Sequence, residues 1–354
     1  MVKRYFHPFV RNIEAGSLLE NLLVSAISSL LVIRAFLTLT GYPQLGGKGF
    51  HIAHMLWGGL FMLAALVIVL TFLNREALNW ASVVGGIGFG MFIDELGKFV
   101  TSDNNYFYRP TVALIYATFV LLFLAFRAIE RFVTVSERVY ALNALEIVKD
   151  AISGDLDAEE KAEALLYLAQ SNGSDPIVIA LRDLLGGIET IDPPRPNPVS
   201  RMKAALRAYY GRVVRLRLFN SGVIVFFVAM SLVSLAISMF SISRRVSFVD
   251  RMELASALVA GLFVLMGIYQ MLRHHRLNAY RMFHRSVLLN IFFTQMFAFY
   301  KQQFVAIIGL LVYLLILLSL RYVLRQETEH PPELEDESQE LAPELSYGSS
   351  SRLS

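Results

Sequence analysis

The strongest constraint on this chain is the recurrence of apolar stretches about 20 residues long, joined mostly by short polar connections. A helix satisfies its own backbone hydrogen bonds where no water can, so each stretch reads as a helix crossing hydrocarbon. The pattern predicts eight spans: Leu18–Thr40, Ile52–Leu73, Trp80–Val100, Pro110–Phe126, Ser221–Phe240, Leu254–Leu272, Leu277–Tyr300 and Phe304–Leu320. The seventh is interrupted by Asn278, Arg281, His284, Arg285, Asn290, Thr294 and Gln295. It reads either as a helix packed inside the bundle or as one lying in the interface, and the charge pattern favours the spanning form.

That charge pattern also sets an orientation. With the N-terminus inside, the cytoplasmic flanks carry Lys3, Arg4 and Arg11, the basic central stretch, Arg273, Arg276, Arg281 and Arg285, and finally Arg321 and Arg325. Both termini are then cytoplasmic. The loop with Arg244, Arg245 and Arg251 runs against the rule. In a chain that is 55% hydrophobic, such basic flanks point to anionic lipid headgroups and not to nucleic acid. There is no cysteine, so disulfides, thiol catalysis and cysteine metal sites are excluded. The first apolar stretch is long and lacks a small-residue cleavage site, so it reads as a retained span.

The organisation expected is an all-α, polytopic transmembrane bundle in four parts. Residues 1–127 form a four-helix membrane unit, and 128–217 a cytoplasmic helical insertion with a basic juxtamembrane helix. Residues 218–325 form a second membrane unit, and 326–354 an acidic tail whose composition predicts disorder. Inside the insertion, Val139–Ile152 has helical spacing and ends at Gly154. Asp157 is placed to cap a second helix running through Ala169, with Glu159 and Glu160 in its first turn. Ser174-Asp175-Pro176 starts a third, which Gly186-Gly187 stops. Pro193, Pro194, Pro196 and Pro198 read as a stiff linker, and Arg201–Arg217 as a helix on anionic lipid. The Asp155-Leu156-Asp157 pair is not a calcium loop, because Glu160 stands where that loop needs glycine.

Ionisable residues inside spans cost about 2.5–3.5 kcal/mol each to insert, so they face protein or water. Here they gather toward one end of the first four spans: Arg34, His51, His54, Asp94, Glu95, Lys98, Asp103, Tyr106 and Arg109. Gly86, Gly90 and Asp94 recur every four residues and share a helix face that lets a neighbour come close. Arg34 lies at matching depth and is the expected partner of Asp94, while Glu95 points away toward Lys98 or Arg109. The bland reading is an ion-pair network that fixes helix register. The sharper one takes His51, His54, Asp94 and Glu95 together, as ligands for a divalent metal or as a proton relay. The Gly-rich run Gly85–Gly90 sits within an apolar helix and has no strand before it, so it is no nucleotide loop.

The stretches HIAHMLWGG (His51–Gly59) and GGIGFGMFIDELGKFVTSDNNYFYRP (Gly85–Pro110) resemble a family of uncharacterised bacterial multi-pass membrane proteins. The resemblance is strongest over residues 17–128. It implies a bacterial inner-membrane setting and no particular chemistry. Three functions follow as expectations. The first is ion or small-solute transport through the polar cluster. The second is a metal-dependent membrane enzyme, though no HExxH signature is present. The third is a sensor or scaffold whose insertion meets a cytosolic protein partner.

Overall fold

The computed structural model describes residues 10–41, 54–103, 105, 108, 110–132, 135–152, 154, 156–191, 205, 208, 212, 222–233 and 247–329. Among these the chain is helical and forms no sheet, with one isolated bridge between Asp157 and Ile191. It divides into two compact units, Met1–Pro196 and Asn197–Ser354.

Among the described residues six helices are long and apolar enough to cross a membrane: Ala15–Thr40, His54–Thr71, Arg75–Asp94, Pro110–Arg131, Phe248–Leu272 and the stretch Arg276–Leu324. Gly222–Val233, inside the expected fifth span, is apolar but shorter. Many of their large apolar side chains face outward, including Val32, Leu66, Leu121, Leu262 and Ile308. An apolar surface of this extent belongs against lipid.

In the first unit, α1 (Ala15–Thr40), α2 (His54–Thr71) and α3 (Arg75–Asp94) pack as a triplet with α3 in the middle. Glycine makes this possible on both sides of α3. A Cβ on Gly86 would lie 2.3 Å from the Leu22 carbonyl oxygen, and one on Gly90 would lie 2.2 Å from that of Ala26. On the other side, a Cβ on Gly88 would lie 2.6 Å from the carbonyl oxygen of Gly58. These backbones touch, as small residues allow in apolar helix pairs. The order of the contacts makes α1 and α3 parallel and α2 antiparallel to both. Ser29 adds a bond across the α1–α3 seam, its hydroxyl donating to the Ile87 carbonyl at 3.0 Å. α3 stops at Asp94, Glu95 forms a turn, and the short α4 (Leu96–Val100) follows. α5 (Pro110–Phe132) completes the group.

The insertion folds as three helices: α6 (Glu137–Ile152), α7 (Ala158–Ala169) and α8 (Pro176–Gly187). Asp157 caps α7 in a reciprocal box with Glu160, and Asp175 caps α8, whose first turn opens on Pro176. Gly154 adopts φ 72° beyond α6, a conformation open to glycine without strain. Their apolar faces close on a core of Ile147, Leu156, Leu168, Val178 and Leu185. The Pro193–Pro198 linker, nearly all of Arg201–Arg217, the Arg244–Arg245 loop and the tail from 330 lie outside the described residues.

In the second unit, α9 (Gly222–Val233), α10 (Phe248–Leu272), α11 (Arg276–Leu289), α12 (Gln295–Gln302) and α13 (Ala306–Glu329) surround Phe227, Val264, Phe283, Val287 and Ile316. α11 and α12 join through a π-helical segment, Asn290–Thr294, into one rod. Of the polar residues that interrupted the seventh apolar stretch, Asn290 and Gln295 are buried on its inner face and His284 and Thr294 are half-buried, while Asn278, Arg281 and Arg285 are exposed. Ser286 on the same face donates to the Ala260 carbonyl at 2.8 Å. Gln303, with φ 52°, turns the chain into α13.

Candidate functional site

Where α1 ends and α2 begins, the structure joins five charged or titratable side chains in an unbroken line. Arg34 on α1 pairs through Nε with the Asp94 carboxylate, and its Nη2 donates to the Asp94 carbonyl oxygen at 3.1 Å. The other Asp94 oxygen, Oδ2, faces His54 Nε2 at 2.9 Å. His54 Nδ1 faces Glu95 Oε1 at 3.0 Å. Lys98 then donates from Nζ to Glu95 Oε2 at 2.6 Å. Asp94 and Glu95 are 0% and 1% exposed, so both carboxylates depend on these partners for what water would otherwise supply.

Each contact has a local cause. Gly86 and Gly90 bring α3 onto α1, and Asp94 continues the same face one turn on, opposite Arg34. Gly58 brings α2 onto the other side of α3 and delivers His54, one turn earlier, to the end of α3. The turn at Glu95 lets consecutive acids serve different partners, because α3 stops there and α4 starts anew. Arg34 also occupies the carbonyl of Asp94 at the end of α3, where helix carbonyls lose their intrahelical donors.

A neutral imidazole carries one N–H and one lone pair. Facing a carboxylate on each nitrogen, it can donate to only one and would present its lone pair to the other. The line is satisfied when it holds one further proton, on the second nitrogen or on a carboxylate. The cations Arg34 and Lys98 stand at its two ends, with the imidazole and the two carboxylates between them.

The metal expectation meets this geometry at the imidazole. The two nitrogens look in opposite directions at two different carboxylates and do not converge with them on one point. Among the described residues no three His, Asp or Glu side chains form a metal-holding group. His51, Tyr106 and Arg109 lie outside the described residues, and Asp103 stands exposed in the turn after α4. The structure thus brings together Arg34, His54, Asp94, Glu95 and Lys98 from the expected set.

A second charged centre, absent from the sequence expectations, lies at the other end of α3. Arg75, its first residue, meets Glu14 before α1 and Glu160 and Glu163 on α7. Tyr167 donates to Glu163 at 2.5 Å. Burial first, and the Glu163 carboxylate second, push the Tyr167 hydroxyl above its ordinary range. The available signal was Arg75 itself: a cation at a helix N-terminus opposes the helix dipole and calls for acids from elsewhere.

Among the described residues the fold and site together define an all-helical protein with six helices long and apolar enough to cross a membrane and a buried line of charge between three of them. No protein-family model, curated protein or solved structure matches the chain.

Proposed function

We propose that this is an eight-span protein of the bacterial inner membrane that moves an ion or small solute, and that the line from Arg34 to Lys98 is its proton-handling site. The observation that carries the reading is His54 held between two buried carboxylates at 2.9 and 3.0 Å. Intramembrane ionisable residues of this kind mark ion paths and proton relays. The interruption of α3 at Glu95 supports it, because transport sites are commonly built at broken helices. One proton passes from Asp94 through the imidazole to Glu95 by entering at one ring nitrogen and leaving from the other. The ring ends neutral in the opposite tautomer and regains the first on a flip.

The eight-span reading rests on two supports. Lys301, at the end of the α11–α12 rod, pairs with Asp250 and Glu253 at the start of α10. The rod therefore runs antiparallel to α10 over its full length, and α13 returns after Gln303. The apolar helix Gly222–Val233 falls within the stretch Ser221–Phe240 that the sequence reads as the fifth span. Both termini and α6–α8 are then cytoplasmic, and the Arg34–Lys98 line lies toward the outer face.

The test uses proteoliposomes with an internal pH dye, a potassium gradient and valinomycin. The wild type is expected to pass protons faster than protein-free vesicles, and His54→Gln to lose that flux while keeping its fold by circular dichroism. A wild type no faster than empty vesicles, or a His54→Gln variant as fast as wild type, overturns the proposal.

A further inference from the structure

Arg75 opens α3 against the sense of the helix dipole, so its position answers to something outside α3. That something comes from two directions. Glu14, immediately before α1, takes Arg75 with both carboxylate oxygens, Oε2 accepting from Nε at 3.1 Å and Oε1 pairing with Nη2. From α7, Glu163 accepts from Nη2 at 3.2 Å and Glu160 stands 3.7 Å from Nη1. A guanidinium is the one side chain that can serve three carboxylates from one plane. Nearby, the buried Asn143 of α6 reads the backbone just before α1 in both senses. It accepts from Ile13 N–H at 2.9 Å and donates to the Arg11 carbonyl at 3.0 Å. Ile13 itself packs against the core of α6–α8.

The insertion therefore grips two helices at their starts, and these two carry Arg34 and Asp94 at their other ends. α1 and α3 run parallel with their backbones in contact, and α3 is 20 residues, about 30 Å, long. We infer that α6–α8 form a regulatory clamp: through Arg75 and Asn143 they hold the register of α1 against α3, and so set the Arg34–Asp94 contact at the opposite end of the membrane unit. A cytosolic event that pulls α7 off Arg75 frees the two helices to slide. Packed helices shift in this way between discrete arrangements. The cavity of about 390 Å³ beside the clamp carries both signs of charge, Arg11 and Arg75 against Glu14 and Glu146, and selects no ligand by charge. The inference does not depend on what the distant site transports, because its readout is a distance.

The chain has no cysteine, so spin labels go only where cysteines are introduced. One pair, Phe72→Cys with Leu166→Cys, spans the clamp. A second, Leu39→Cys with Val100→Cys, spans the far ends; all four positions are exposed. In the full chain in lipid nanodiscs, Glu160→Gln with Glu163→Gln is expected to broaden both distance distributions. Broadening across the clamp with an unchanged far-end distribution overturns the coupling. No change in either overturns the clamp, as does a change at the far ends alone. Should the double variant fail to fold, Glu163→Gln alone removes the α7 carboxylate that hydrogen-bonds Arg75, keeps Glu160 in the cap of α7, and is read by the same criteria.

Discussion

Arg34 holds Asp94 twice, by its carboxylate and by its main-chain carbonyl, with the second contact at 3.1 Å. The pair thus joins two helices and also finishes one of them. Removing Arg34 takes the fixed cation from the buried Asp94 and leaves it facing the His54 imidazole, and removing the Asp94 charge takes the carboxylate from Arg34; breaking a buried pair in this way costs about 3–5 kcal/mol. Arg34→Met and Asp94→Asn are each expected to lower the thermal midpoint in detergent sharply. The double variant is expected to lose much less than the sum. Strictly additive losses would refute the coupling between them.

The glycines on α3 predict a graded series. Gly90→Ala and Gly86→Ala each drive a Cβ into backbone of α1 and are expected to cost about 1–3 kcal/mol while separating Arg34 from Asp94. Gly85→Ala meets only the Ala65 side chain at 3.2 Å and is expected to be milder. Gly59→Ala has nothing within 4 Å and is expected to be silent. Thermal unfolding of the four variants checks the order; a silent Gly90→Ala would show that the α1–α3 contact is not close.

Tyr167 predicts a crossing of stabilities with pH. Its hydroxyl is held protonated in the fold by burial and by Glu163, while the unfolded phenol ionises near its ordinary value of about 10. The unfolded state then holds fewer protons than the folded one, so the wild type loses stability as pH rises above that value. Tyr167→Phe lacks this loss but gives up a hydrogen bond worth about 1 kcal/mol at neutral pH. The variant is expected to be less stable at pH 7 and to close the gap in alkali. A constant gap from pH 7 to 11 would show that Tyr167 does not titrate with folding.

Asn143→Leu leaves the Ile13 N–H and the Arg11 carbonyl without their partner, at about 1–3 kcal/mol for each group that stays buried. The residues before α1 are expected to become open to protease while α10–α13 are unaffected. Protection equal to wild type would remove Asn143 from the docking of α6.

Single cysteines at Asp103 and Ile152 are expected to label from opposite sides of the membrane in intact cells or oriented vesicles. They lie on either side of α5, which is apolar over Pro110–Arg131. Labelling from the same side would mean that α5 does not span.

What could be read in the sequence and what could not divides along physical lines. The helices themselves were legible, because an apolar run of this length has only one way to satisfy its backbone in hydrocarbon. So were Asp157 with Glu160, Asp175 with Pro176, and Gly154, since caps act within one turn of the chain. The Arg34–Asp94 pair was legible for a related reason: the spacing of Gly86, Gly90 and Asp94 names a face, and depth along two spans names a partner. The placement of His54 between Asp94 and Glu95 was not, because it requires the rotation of α2 about its axis and the turn at Glu95, neither of which leaves a mark in local composition. Arg75 was missed for the same cause, since its carboxylates come from before α1 and from α7, far apart in the chain. The break in the Arg276–Leu324 stretch was legible: it falls between the expected spans Leu277–Tyr300 and Phe304–Leu320, where Lys301, Gln302 and Gln303 interrupt the apolar run and Gln303 turns with φ 52°. Local chemistry chooses helices and their ends, and it acts over a turn or two. Which side chains meet is decided by the packing of those helices, where closeness in space bears no relation to closeness along the chain.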